Sequence, residues 1–287
     1  MNTLRSIAEV RRQVREWKRC DHSIGLVPTM GGLHEGHLAL VKRSVTTCDR
    51  TLVTVFVNPI QFAPGDDFAA YPRRESRDAR LLKGRGCDCL FTPTVEELFP
   101  HGHSDERFST RITVRSLRGR LCGSVRPGHF DAVGTQVLKL LMITAPDKVF
   151  FGEKDYQQLL VVRRSVRDLD VPVSVIGVPT VREPDGLALS SRNVYLTDAE
   201  RQVAPGLHRV LLSASRALAC GRDAKEVCQD CADTLLEQGF DRVDYVELVD
   251  PESLQPLERV GAAARLMAAV WLGRARLIDN LEIESQT

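Results

Sequence analysis

The run Thr51-Leu52-Val53-Thr54-Val55-Phe56-Val57 constrains the fold more than any other segment of the chain. It is nearly all apolar and rich in β-branched residues, so it reads as a strand with no polar face. Such strands belong to sheets covered on both sides, and parallel sheets meet that condition because their crossover helices lie on both faces. The surrounding sequence supplies the crossovers. Ile24 to Pro28 is a second compact apolar run, followed by a glycine-containing loop and then by Leu38, Val41 and Val45 at helical spacing. A helix is therefore expected to start near Gly36 or His37. Cys89–Phe91, Lys148–Phe151 and Val173–Val178 read as further strands. Val133, Val137, Leu140 and Leu141 mark one helix, and Leu159, Val162 and Val166 another. The expected fold class is α/β, a doubly wound, Rossmann-like parallel sheet over residues 1–178, with ligands at the carboxyl ends of its strands.

Beyond Pro179 the pattern changes. Leu207, Leu211, Ala214 and Leu218 share a helical face that Gly221 ends, and Val227, Cys231 and Leu235 make a second amphipathic helix before Gly239. Val243–Val249, Arg265–Leu272 and Arg276–Ile283 read as strands, with a turn at Gly273. Residues 179–287 are thus expected to form a smaller α+β domain.

With 287 residues, 43% of them hydrophobic and 27% charged, the chain can bury a core without disulfide or metal staples. Its formal charge of +1 lacks the basic excess of a nucleic-acid binder. Arg111, Arg115, Arg118 and Arg120 form a local basic stretch, but no aromatic residues interleave it and a solvated face explains it. Charge arrives early after Met1, with no leader-like apolar stretch, and no uncharged run reaches the roughly 18 residues of a membrane span. Eight scattered cysteines in such a chain point to free thiols in a reducing compartment. The expectation is a cytoplasmic protein that engages neither membrane nor nucleic acid. Cys228-x-x-Cys231 falls inside an amphipathic helix and has no matching second pair, so no metal site is expected there.

Four clusters carry chemistry. In Pro28-Thr29-Met30-Gly31-Gly32-Leu33-His34-Glu35-Gly36-His37 a buried strand ends, two glycines admit close approach, and two histidines follow as a helix opens. Helix N-termini favour phosphate, and the imidazoles add donors. Phe151-Gly152-Glu153-Lys154-Asp155-Tyr156-Gln157-Gln158 also follows a strand, on the same rim of the sheet, and offers Lys154 as a point charge. In Arg182-Glu183-Pro184-Asp185-Gly186-Leu187-Ala188-Leu189-Ser190-Ser191-Arg192-Asn193, a turn signal precedes two hydroxyls and a guanidinium suited to a polyphosphate. Gln61, in Val57-Asn58-Pro59-Ile60-Gln61-Phe62 at the end of the second buried strand, suits a hydroxyl or carboxylate better than a metal.

Together with Arg126-Pro127-Gly128-His129-Phe130-Asp131, these motifs occur in the order found in pantothenate synthetases, and the chain resembles that family from its start to beyond residue 280. The His-x-Gly-His element alone indicates only the wider nucleotidyltransferase superfamily. A member acting on a nucleotide or a phosphopantetheine would have no reason to carry Gln61 with Gln158. The resemblance implies ligation of pantoate to β-alanine, with ATP converted to AMP and pyrophosphate through a pantoyl adenylate. It implies catalytic roles for His34, His37 and Lys154. It further implies an ATP site at Met30, Gly31, Gly32, Leu33, His34, Glu35, Gly36, His37, Gly152, Glu153, Lys154, Asp155, Val181, Leu189, Ser190, Ser191 and Arg192. Gln61 and Gln158 would hold pantoate and β-alanine. Mg²⁺ would accompany ATP, held by its phosphates, and a homodimer is implied by the family.

Overall fold

The computed structural model describes residues 1–62, 68–104 and 107–284. It divides into two compact units. The first holds a six-stranded, all-parallel sheet of β1 (Asn2–Leu4), β2 (Ile24–Thr29), β3 (Arg50–Val55), β4 (Cys89–Phe91), β5 (Lys148–Gly152) and β6 (Ser174–Val178). Their order is β1-β4-β3-β2-β5-β6. From β2 the chain steps outward through β3 to β4, then returns to the other side of β2 for β5 and β6. The order therefore reverses between β2 and β5, and a crevice opens at the carboxyl ends of strands where it does.

Register explains the lack of a polar face. Val27, Val53 and Leu90 lie side by side and pack with Phe150 against Leu38, Val41 and Leu82 of the helices Glu35–Val45 and Glu75–Lys83. The alternate residues Leu26, Leu52, Cys89 and Val149 point to the other side and are equally buried. The third strand ends at Val55, two residues before the apolar run does. Phe56 still donates to Thr29 O at 3.0 Å, but Asn58-Pro59 follows and proline has no N–H for a ladder. Among the elements that escaped the apolar pattern are the short edge strand β1, the helix Glu75–Lys83 and the helix Ile7–Arg19, the last started by a reciprocal capping box of Ser6 and Glu9.

The second unit comprises Gly119–Val125, Lys154–Tyr156 and Thr180–Thr287. Its antiparallel sheet, β7 (Arg242–Val249), β8 (Ala263–Leu272) and β9 (Ala275–Glu284), turns between β8 and β9 at Gly273, where φ is +54°. One face of this sheet, with Leu266, Ala268, Val270, Leu277 and Ile283, packs on the helices Gly206–Ala219 and Ala224–Glu237. The opposite face carries Arg265, Trp271, Arg276 and Asn280, by the twofold alternation of strands. There the Arg265 guanidinium lies 3.7 Å from the centre of the Tyr156 ring, and Cys122 Sγ lies 3.0 Å from the Tyr245 hydroxyl.

All eight cysteines are free. Burial pushes the Cys231 thiol up to about 12 and Cys228 to about 11, so these two pack as small apolar groups. Among the described residues no helix is long and apolar enough to cross a membrane.

Gly25 in β2 lets the following helix close on the sheet. A Cβ there would collide with Ser44 Oγ, which bonds the Thr51 hydroxyl at 2.8 Å, and would press on Cys48 and Phe150. Gly25→Ala is expected to cost about 1–3 kcal/mol by overpacking. Urea denaturation measures this, and an unchanged midpoint would contradict the packing described.

Candidate active site

The loop after β2 is built around a carboxylate. Gly31 and Gly32 take positive φ, +85° and +63°, a conformation glycine adopts without cost. Their turn presents two consecutive amides to Asp78, whose Oδ2 accepts from Gly32 N at 2.9 Å and Oδ1 from Leu33 N at 3.0 Å. Asp78 is fully buried, at 0% exposure. Thr29 Oγ1 accepts from Gly31 N at 3.2 Å while donating to Thr54 O at 2.8 Å, fixing the start of the same turn. Gly31 also has no room for a side chain, since a Cβ would press on Val55 and Asp78.

The helix begins at Glu35, slightly earlier than its apolar spacing indicates, because His34 serves as its N-cap. His34 Nδ1 accepts from Gly36 N at 3.2 Å, and His37 Nδ1 accepts from His34 N at 3.4 Å. The two rings lie 4.1 Å apart, centre to centre. With both Nδ1 atoms accepting, each neutral ring must carry its proton on Nε2. The first-turn amide of Gly36 is thus spent on His34, and a ring N–H takes its place as a donor. Glu35 is exposed and pairs with Arg85 at 3.2 Å, so its side chain points to a solvent-facing role.

A second constellation in this unit joins Gln61 to the Arg126–Asp131 motif. Gln61 closes one tight helical turn, Pro59–Gln61, behind the buried Asn58. His129 Nδ1 lies 3.1 Å from Gln61 O. A carbonyl only accepts, so Nδ1 carries the proton and Nε2 accepts from Arg126 Nη1, also at 3.1 Å. Gln61, Arg111, Arg126, His129 and Asp131 line an open cleft of about 630 Å³. Of the two neighbouring glutamines, Gln157 is buried and donates to Leu117 O at 2.8 Å, whereas Gln158 is half-buried. Gly152 and Glu153 leave the end of β5, the strand beside β2.

In the second unit Lys154 and Ser190 border one small cavity of about 10 Å³, room for a single water, together with Asn193, His208 and Asp279. Ser190 Oγ accepts from Arg192 N at 3.2 Å and so caps the turn Ser191–Tyr195. The preceding hairpin, bridged between Arg182 and Ala188, carries Val181 and Leu189, which are joined by Leu189 N to Val181 O at 3.0 Å. Arg182 holds it down by a two-pronged bond to Asp279 at 2.6 and 2.8 Å. Burial pushes the Asp279 carboxyl up, but His208 and Arg182 beside it more than reverse this and hold it below the ordinary range.

Asp78, Asp279 and Asn280 were not among the residues the sequence singled out. Asp78 sits in the charge-rich stretch Glu75-Ser76-Arg77-Asp78-Ala79-Arg80, and its one signal is that it shares a helix face with Leu82, four residues on and equally buried. Asp279-Asn280 interrupts an apolar strand with two adjacent polar residues, a break in alternation that marks buried polar work.

Residues 2–282 match the family model described as pantoate-beta-alanine ligase. The chain belongs to the pantoate–β-alanine ligase family. It is 50% identical over 284 residues to the pantothenate synthetase of Paramagnetospirillum magneticum, covering 99% of this chain and 98% of that one. The Chelativorans enzyme of the same name is 48% identical, with 97% and 96% covered. Among solved structures, pantothenate synthetase from Thermus thermophilus superposes with a TM-score of 0.92 at 47% identity, covering 99% of this chain and 100% of that one. A pantoate–β-alanine ligase from Francisella tularensis, complexed with beta-gamma ATP and β-alanine, superposes at 0.82 with 31% identity, covering 98% and 97%. Family membership makes this chain an ATP-dependent carbon–nitrogen ligase that joins pantoate to β-alanine through a pantoyl adenylate, releasing AMP and pyrophosphate.

Asp78→Ala would strand two buried amides. Hydrogen bonds to a charged acceptor are worth about 1.5–3 kcal/mol each, so a loss of about 3 kcal/mol or more is expected, with a raised KM for ATP. Thermal melting with and without ATP checks this, and wild-type values in both would remove Asp78 from the loop's support.

Proposed function

We propose that the ligation runs through the three constellations described, with the His34–His37 turn on the phosphates of ATP. Both reactants of the first step are anionic: the pantoate carboxylate attacks the α-phosphorus and pyrophosphate leaves. Positioning and donors aimed at the phosphoryl oxygens must offset that repulsion. The observation that carries the reading is the pair of imidazoles whose Nδ1 atoms cap the helix, which commits the Nε2–H edges to donation. His37 then acts as a hydrogen-bond donor in adenylate formation, since attack by a carboxylate requires no proton. Lys154 supplies charge at the α-phosphoryl group, and Ser190, Ser191 and Arg192 hold the outer phosphates.

Gln61 and Gln158 orient pantoate through its hydroxyls and carboxylate. In the second step the β-alanine amine attacks the activated carbonyl, loses a proton, and AMP departs. Met30 and Val181 line the ATP site with backbone groups, and Gly152 and Asp155 lie at the ribose. The remaining loop positions Gly31, Gly32, Leu33, Gly36, Glu153 and Leu189 complete the wall of the same site, to which Glu35 contributes its backbone. Mg²⁺ enters as part of the substrate, bound to the phosphates. The same reading places residues 1–178 as the nucleotide domain and 179–287 as a lid, in a cytoplasmic homodimer.

A coupled assay for AMP release, omitting one substrate at a time, tests the whole reading: release must require pantoate and ATP, and sustained turnover must also require β-alanine. Lys154→Ala is expected to slow pantoate-dependent ATP–pyrophosphate exchange about 100- to 1000-fold. His37→Ala should do the same. If exchange stayed normal and only the amine-dependent half slowed, the phosphate assignment of His37 would be wrong.

A further inference from the structure

Lys154 has a long, flexible side chain, and a charge on such a chain is useful only if the backbone that launches it is fixed. Its carbonyl oxygen accepts a hydrogen bond from Asn280 Nδ2 at 3.0 Å. Asn280 is 4% exposed, in β9, and its own orientation is dictated by a neighbour. Arg265 Nη1, from the adjacent strand β8, lies 2.6 Å from Asn280 Oδ1. A guanidinium can only donate, so the amide oxygen must face Arg265 and the amide nitrogen must face Lys154. Arg265 is itself locked, 5% exposed, stacked at 3.7 Å on the Tyr156 ring and bonded to Glu282 at 3.0 Å. The stacked Tyr156 lies two residues after Lys154, so Arg265 grips the same turn a second time. The chain Arg265–Asn280–Lys154 O thus fixes one peptide plane and with it the direction of the lysine's Cα–Cβ bond.

We infer that Asn280, held by Arg265, is a positioning residue for Lys154 and therefore for adenylate formation. This rests on Lys154 acting at the α-phosphoryl group. Asn280 holds the lysine by its backbone carbonyl, and buried supports of this kind set the geometry on which a reacting group depends.

The test is a double-mutant cycle on the full-length enzyme, reading the two half-reactions separately. Asn280→Asp keeps an oxygen for Arg265 but replaces the N–H donor facing Lys154 with a second oxygen. Adenylate formation is expected to slow about 100-fold, the scale of a misplacement of about 1 Å, with KM for pantoate within about two-fold of wild type. Conversion of supplied pantoyl adenylate with β-alanine should keep its rate. In a Lys154→Ala background the same substitution should add nothing, because its effect passes through the lysine. Proportional loss in both half-reactions, or a full additional loss without Lys154, would overturn the inference. If Lys154→Ala itself leaves adenylation intact, the role of the lysine fails first, which the cycle shows separately. Should the aspartate variant not fold, Asn280→Ala, which removes the donor without adding charge, is read in the same way.

Discussion

The carboxylate of Asp78 underlies the loop that follows β2. A loop whose two glycines turn its amides away from the backbone ladder has to be held by something other than its own backbone. Asp78 does this from another helix, taking two successive amides at 2.9 and 3.0 Å from within the protein. A buried carboxylate is costly unless it is hydrogen-bonded, and here the cost is offset by the donors it collects. Two glycines at positive φ are what allow those amides to converge on one side chain.

Strand order then sets where the loop can act. Because β2 and β5 lie side by side and the strand order reverses between them, the segments that leave their ends flank that switch point. The second unit applies a comparable logic with other parts: adjacent residues on one strand, Asp279 and Asn280, face opposite sides. One holds the hairpin before Leu189 through Arg182, and the other holds the backbone of Lys154.

Much of this could be read in the sequence. The apolar run at residues 51–57 announced a sheet covered on both faces, which the helical patterns between the strands made parallel, and the strand at Cys89–Phe91 falls where it was expected. The positions of two of the motifs were legible because they follow the apolar runs that form β2 and β5. What could not be read was support across long sequence separation. Asp78 lies 46 residues from Gly32, and Asn280 lies 126 residues from Lys154. Local pattern carries no trace of which distant amide or carbonyl a buried polar group will meet. Short β1 was invisible for a related reason, as its three residues gain their strand character only from pairing with β4.

The capping by His34 and His37 has a consequence for which residues can stand in their places. Lysine or arginine would bring a full positive charge, yet neither has a lone pair with which to end the helix. Serine or aspartate would end it well but would offer no rigid donor on the far side. Asparagine has both groups but is too short to span from the first turn to a bound anion. Neutral imidazole places an acceptor and a donor on opposite edges of one flat ring. The two positions are therefore closed to each of the usual helix-capping and donor residues taken singly, and a change at either one would alter the start of the helix and the donor edge it presents together.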